Sequence, residues 1–449
     1  MAVDVRDMTK GPLGKQILVF SIPLILSNVL QVLFNLADVA VVGRFAGSMA
    51  LGSVGSTITL VTMFTGFLIG IASGINVLVA MYFGAGNKKG VEETVHSAAL
   101  FSVMIGVLIL LFGVTCSKRI LLILNTKQEL IDGAVQYVSI YFLGMPALAV
   151  YNFGNAVFSA VGDTARPLRY LTIAGVLNLV LNLLFVVGCH MGVAGVAAAS
   201  AISQYSSAVM IVSALFCTGE CYGLRFGAFH WKWEAVKDIA RIGLPAGLQN
   251  AIFQLANLFI QAGVNTFSAV MVAGNSAATN ADALVYDVMA AFYTACGSFM
   301  GQNYGAGNKK RIRNSYFISL GYSFGIGLVL GLLLVIFGES FLALFTSDQE
   351  VIRSGMYRLT IMGLSYGVSA FMDCTIAASR ALGKGVIPTV IVVMGSCVLR
   401  IIWVYTVFAY FKTIPSLYLL YVCSWSVTAI AEITYFARIY RQKMKEMLP

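Results

Sequence analysis

The residues of this sequence best suited to chemistry stand in surroundings that make chemistry costly. Asp38 lies in VLFNLADVAVVG, an otherwise mostly apolar run, and Asn178 and Asn182 lie in LNLVLNLLFVVG. Four residues apart, the two asparagines share one helix face. A carboxylate with several amide oxygens is a ligand set for a hard cation, and a carboxyl group can also carry a proton. The alternative for the asparagines is hydrogen bonding between helices. The second half has its own ionisable groups in apolar runs: Asp282, Asp287, Asp373, Glu432, Arg358 and Arg400. Arg400 requires a carboxylate partner, with Asp373 and Asp287 as the choices, and either a static pair or a functional role fits that pattern.

Other chemistries find little support. GAGNKK occurs at Gly84–Lys89 and again at Gly305–Lys310, but no Ser or Thr follows the lysines as a phosphate-binding P-loop requires. Glycines that end one helix and lysines that anchor the turn explain it better. The eight cysteines lie mostly in apolar segments with no CxxC, and the three histidines are scattered, so neither a disulfide framework nor a metal or haem site is expected. No His, Glu or Ser cluster has catalytic spacing, so the chain does not read as an enzyme.

These residues are carried by elements built for lipid. Of 449 residues, 59% are apolar and 11% charged, against about 25% charged in soluble chains, and the mean hydropathy is +0.86. Apolar runs long enough to cross a ~30 Å hydrocarbon core recur throughout. Twelve helices are expected, at 15–43, 51–83, 95–117, 129–153, 167–189, 193–217, 235–268, 276–303, 312–337, 353–378, 386–411 and 415–438. The first apolar segment is too long for a signal-peptide core. With the N-terminus inside, 21 of the 29 Lys and Arg fall on the inner side and seven on the outer, Arg358 among the seven. That bias puts both termini in the cytoplasm and makes the net charge of +10 a matter of topology, with no nucleic-acid partner.

The chain is also doubled. At an offset of 221, Gln128-Glu129 falls on Gln349-Glu350, Gly162 on Gly383 and Pro167 on Pro388; at 222, Pro23 falls on Pro245. The expected architecture is therefore all-α and polytopic, with twelve transmembrane helices in two six-helix lobes related by a pseudo-two-fold axis along the membrane normal. The lobes are 1–217 and 235–449, joined by a cytoplasmic linker at 218–234. Two such lobes suit alternating access. Where the copies disagree inside the membrane, the fold does not dictate the residue: Asp38 falls on Phe259 or Ile260, Asn178 on Leu399, Asn182 on Trp403, and Arg400 on Leu179.

Taken in order, ADVAVVGRFAG, GDTARP, LNLVLN, GVAAASAISQ, FMGQNYGAGNKKR and AASRALGKGVIP give the chain a resemblance to the MATE family of multidrug and toxic compound extrusion transporters. It covers all twelve helices, and the branch is similar to the bacterial DinF-like and MepA-like members. The resemblance implies antiport of organic, cationic or amphiphilic small molecules against H⁺ or Na⁺ by rocking of the lobes. It implies no cofactor, a multi-pass protein of the bacterial inner membrane, and function as a monomer. Residue by residue, Asp38 matches the cation-coupling aspartate of the first helix, with Asn178 and a hydroxyl position near Ser200. Pro23 matches the proline where that helix bends. Gln31, with Phe34, and the pair Asn152 and Asn155 match residues lining the substrate cleft. Asp373 resembles an acid of the second lobe, where Asp287 and Arg400 are further coupling candidates. One departure matters: Asn182 stands where many relatives have an aspartate, leaving one formal charge at the site. The rival reading, a lipid-linked glycan or lipid flippase of the same superfamily, would call for several basic residues along the cleft.

Overall fold

A computed structural model describes residues 7–124 and 126–447, and no strand occurs among them. The first half comprises α1 (Leu13–Val41), α2 (Gly47–Gly84), α3 (Lys88–Ile123), α4 (Gln128–Phe142), α5 (Met145–Ala160), α6 (Ala165–Asn182) and α7 (Gly192–Cys217). The second comprises α8 (Trp233–Val264), α9 (Ala269–Gly305), α10 (Lys309–Leu342), α11 (Gln349–Gly363) and α12 (Tyr366–Ala381). It ends in a rod of α13 (Val386–Val392), α14 (Leu399–Trp403) and α15 (Ala409–Phe411), followed by α16 (Ile414–Glu446).

Eight stretches are long and apolar enough to cross a membrane, or ten with the bent pairs α4–α5 and α11–α12. One of the eight, Leu13–Gly84, is itself two helices, α1 and α2, meeting at Gly47 (φ +86°). With α8, whose first turns carry Lys237, Asp238 and Arg241, the described residues supply the expected twelve rods. Two of those rods depart from expectation. The helices read as continuous over 129–153 and 353–378 are broken, by 47° at Leu143–Gly144 and by 49° at Leu364–Ser365. Both breaks fall at the same register of the repeat.

Other local features repeat in the same way. Each GAGNKK forms the turn between two long helices. Gly86 (φ +67°) and Gly307 (φ +72°) take the left-handed conformation open to glycine. The next residue caps the following helix: Asn87 accepts from the Gly90 N–H at 2.9 Å, and Asn308 from the Arg311 N–H at 3.1 Å. The π-helical turn Leu183–Gly188 after α6 has its counterpart at Val404–Phe408. The copies differ one residue past the lysines. There Arg311 reaches back to three backbone carbonyls, donating to those of Met8 and Gly11 at 2.8 Å and of Lys10 at 3.2 Å, and so fastens the N-terminal segment.

Packing divides the chain into two compact units that cut across sequence order: 1–25 with 252–449, and 26–251. In the first unit the opening turns of α1 pack on α9, with Phe20 edge-on to Phe299 at 5.5 Å and Ala291 and Ala295 against them. In the second, the opening turns of α8 pack on α2 through facing glycine pairs, Gly243/Gly247 and Gly70/Gly74. A Cβ on Gly70 would stand 2.2 Å from the Gly247 nitrogen, so the two backbones touch. Each long helix leaves its unit shortly after its proline, Pro23 in α1 and Pro245 in α8, where a backbone donor is missing. The repeat boundary and the packing boundary are thus different lines. The segment between α7 and α8 is folded onto the second unit, with Tyr222 and Leu224 buried and the Arg225 N–H bonded to His96 Nε2 at 3.1 Å.

Candidate functional site

Three helices of the unit 26–251 converge on Asp38. It stands in the last turns of α1, before the π-helical turn Val42–Ala46. The Asn182 side-chain N–H₂ donates to Asp38 Oδ1 and, at 3.1 Å, to Asn178 Oδ1 one turn earlier on α6. Asn178 in turn reaches Ser200 Oγ on α7 at 3.4 Å. The four residues therefore form one chain of hydrogen bonds ending on a carboxylate. α1 and α6 come close because Gly175 has no side chain: a Cβ there would lie 1.8 Å from the Phe34 ring.

Asn182 is fully buried, and its Oδ1 has no hydrogen-bond donor. A buried acceptor left open beside a carboxylate is uncommon in a folded interior. With the Asp38 oxygens, the Asn178 amide and the Ser200 hydroxyl, it makes an oxygen-rich set of single negative charge. That composition suits one monovalent cation, or a proton held by Asp38. Tyr137 and Tyr141 of α4, stacked at 5.7 Å, lie close enough to feel the Asp38 charge and were not singled out by sequence.

The cleft residues are arranged differently. Gln31 is exposed, and Phe34 is half-buried against α6. Asn152 bonds back to the Leu148 carbonyl of its own helix at 2.9 Å, and Asn155, one turn on, is half-buried. No hydrogen bond among the described residues joins these side chains to the Asp38 group. Pro23 lies within α1 in the other compact unit.

In the unit formed by 1–25 and 252–449, the structure corrects the expected ion pairing. Arg400 makes no ion pair among the described residues. Its Nε donates to Ser424 Oγ at 3.0 Å, and its guanidinium lies over Tyr421 at 4.6 Å, Phe253 at 5.7 Å and Trp425 at 5.9 Å. The reason is that aromatic faces take the place assigned to Asp373 or Asp287. Asp373 is half-buried on α12, where Arg380 bears on its charge more strongly than Arg400 does, and Asp287 is half-buried on α9. The arginine that does pair is Arg358, which sequence placed with the outer charges. It is buried, and donates to Asp282 from Nε at 2.7 Å and Nη2 at 2.6 Å. Its Nη1 donates to Asn275 Oδ1 at 2.8 Å, and Tyr366 completes the cluster by donating to Asp282. Glu432 is fully buried with no hydrogen-bond donor to either carboxylate oxygen, and Arg380 bears on it electrostatically.

Two stretches of the chain, 23–184 and 245–406, each match the MatE family, so the family unit occurs twice at a spacing of 222. The chain is 30% identical over 383 residues to the probable multidrug resistance protein YpnP of Bacillus subtilis, spanning 84% of this chain and 85% of that one. It is 23% identical over 373 residues to an FAD transporter of Shewanella oneidensis, spanning 81% of each. Its fold is similar to that of a multidrug resistance MATE family transporter of the MOP superfamily solved in an outward-facing conformation. That likeness has a TM-score of 0.90 at 23% identity, over 100% of this chain and 99% of the other.

Proposed function

The chain belongs to the MatE family of membrane transporters, and from that premise we propose that it is an antiporter coupling export of organic small molecules to the entry of H⁺ or Na⁺ at Asp38. The observation that carries this reading is the hydrogen-bonded group Asp38–Asn182–Asn178–Ser200, with its open buried acceptor. In the proposed cycle, substrate enters from the cytoplasm and the lobes rock. A cation arriving from outside then occupies the oxygens around Asp38 and favours substrate release. Gln31, Phe34, Asn152 and Asn155 are assigned to the substrate path. Asp373 and Asp287 are assigned a supporting part in coupling. The Lys and Arg bias supports a bacterial cytoplasmic membrane location with both termini inside, and each lobe pair works as a monomer. A flippase for pyrophosphate-linked lipids is disfavoured because such a head group calls for several basic residues, and Asp282 already neutralises one of the two buried arginines, Arg358.

The test is dye counterflow in proteoliposomes, with Na⁺ and H⁺ gradients imposed separately. Asp38→Asn should elute as a monodisperse protein and lose gradient-driven transport by about a hundredfold or more, as expected when the one charge at a coupling site is removed. Wild-type rates in Asp38→Asn vesicles would remove the assignment, and the gradient that drives the wild type names the ion.

A further inference from the structure

Arg358 and Arg400 are both almost wholly buried, at 6% and 4% exposure, yet their surroundings treat them in opposite ways. Arg358 has an acceptor for Nε, Nη1 and Nη2. Arg400 has one only for Nε, the hydroxyl of Ser424. Its Nη1 and Nη2 meet no acceptor among the described residues, and neither is sealed away from accessible space. A guanidinium is costly to bury, and one kept purely for structure would be expected to have a carboxylate, as Arg358 does. The rings of Tyr421, Phe253 and Trp425 offset part of that cost, but they engage the faces of the guanidinium. Its edge, where two parallel N–H groups can grip an oxyanion, has no acceptor among the described residues.

The repeat adds a second line. At the 221 offset, Arg400 falls on Leu179, next to Asn178; Trp403 falls on Asn182, and Tyr421 on Ser200. The stretch that builds an oxygen-rich, negatively charged group in the first half builds a positively charged, aromatic-lined one in the second. Tyr421 is shared by the two arginines, its ring lying 5.4 Å from the Arg358 guanidinium and 4.6 Å from that of Arg400.

We propose that Arg400, framed by Phe253, Tyr421, Trp425 and Ser424, recognises planar organic anions. A carboxylate or phosphate group of the transported compound is received on the guanidinium edge, and its ring system lies against the aromatic side chains. This rests on the exporter reading and names a substrate class for it.

Equilibrium binding of fluorescein and of its methyl ester to the purified full-length protein tests the proposal, read by fluorescence polarisation with ethidium as a third ligand. Wild type should prefer the acid by about tenfold or more, the size of a charge-assisted bidentate contact, and Arg400→Gln should bring the ratio to about one. Should Arg400→Gln not elute as monodisperse protein, Arg400→Lys carries the test: it keeps the charge, loses the planar fork, and should cut the preference to about threefold. A wild type without preference, or a preference intact in either variant, overturns the proposal. Wild type that binds ethidium but does not discriminate acid from ester removes only this site. Wild type that binds none of the three removes the exporter reading with it.

Discussion

Removing Arg358 should be among the most damaging single changes in the protein. The Asp282 carboxylate accepts from Arg358 Nε and Nη2 and from the Tyr366 hydroxyl, so Arg358→Leu strips the two charged donors and leaves one neutral hydroxyl. The remaining charge is 6% exposed and cannot recover its hydration in place. Asn275 Oδ1 also loses a donor at 2.8 Å and keeps the Tyr418 hydroxyl at 2.8 Å. Breaking such a buried pair from one side costs about 3–5 kcal/mol. For a body of this size that corresponds to roughly 10 °C in melting temperature. Asp282→Leu should cost a similar amount, because it strands the guanidinium instead. Asp282→Leu/Arg358→Leu should cost less than the sum of the two by about 2 kcal/mol or more, since no charge is then left alone. Cys296 and Cys374 are fully buried in the same compact unit. Unfolding in detergent can therefore be followed by a dye that fluoresces on reaction with newly exposed thiols. Single variants melting within about 2 °C of wild type, or a double variant whose loss equals the sum, would refute the account of Asp282–Arg358 as a mutually dependent pair.

Two further outcomes follow from backbone geometry. Gly70→Leu should prevent accumulation of folded protein, because even a Cβ there would stand 2.2 Å from backbone, whereas Gly297→Ala, with nothing within 4 Å, should melt at or slightly above wild type. Asn87→Ala and Asn308→Ala each remove a side-chain cap, and each should lower stability by about 1 kcal/mol in the same melting assay while leaving dye counterflow measurable.

The periodicity of the sequence carried much of this architecture. Identical GAGNKK turns, the offset between halves, and the mismatch at Asp38 and Asn182 could all be read before any coordinate, and Asn178 and Asn182 were legible as a pair because helical spacing is local. What stayed hidden was contact across long separations. Asp282 and Arg358 are 76 residues apart on helices with no sequence signal of adjacency. Tyr137 and Tyr141 come within electrostatic range of Asp38 from a helix whose neighbours no local pattern specifies. Arg400 lacks the expected carboxylate partner because the faces of Tyr421, Phe253 and Trp425, brought together from distant helices, take its place. The helix breaks at Leu143–Gly144 and Leu364–Ser365 were missed although each contains a weak helix former, since one Gly or Ser in an apolar run is common enough to be passed over.

The opening turns of α1 and α8 belong, by packing, with helices of the other half of the sequence. A polypeptide ending in the segment between α7 and α8 would carry α2 with its Gly70 and Gly74 face bare. It would also carry an α1 segment whose partners, Ala291, Phe292 and Phe299, lie on the missing piece. The second polypeptide would be incomplete in the reciprocal way. Each half of the gene therefore encodes core clusters of its own and, beside them, one that the other half completes. During synthesis the first half must wait, with part of its surface unburied, until α8 and α9 have been made. The duplication that is so plain in sequence is, in three dimensions, an exchange of opening helical turns between the two halves.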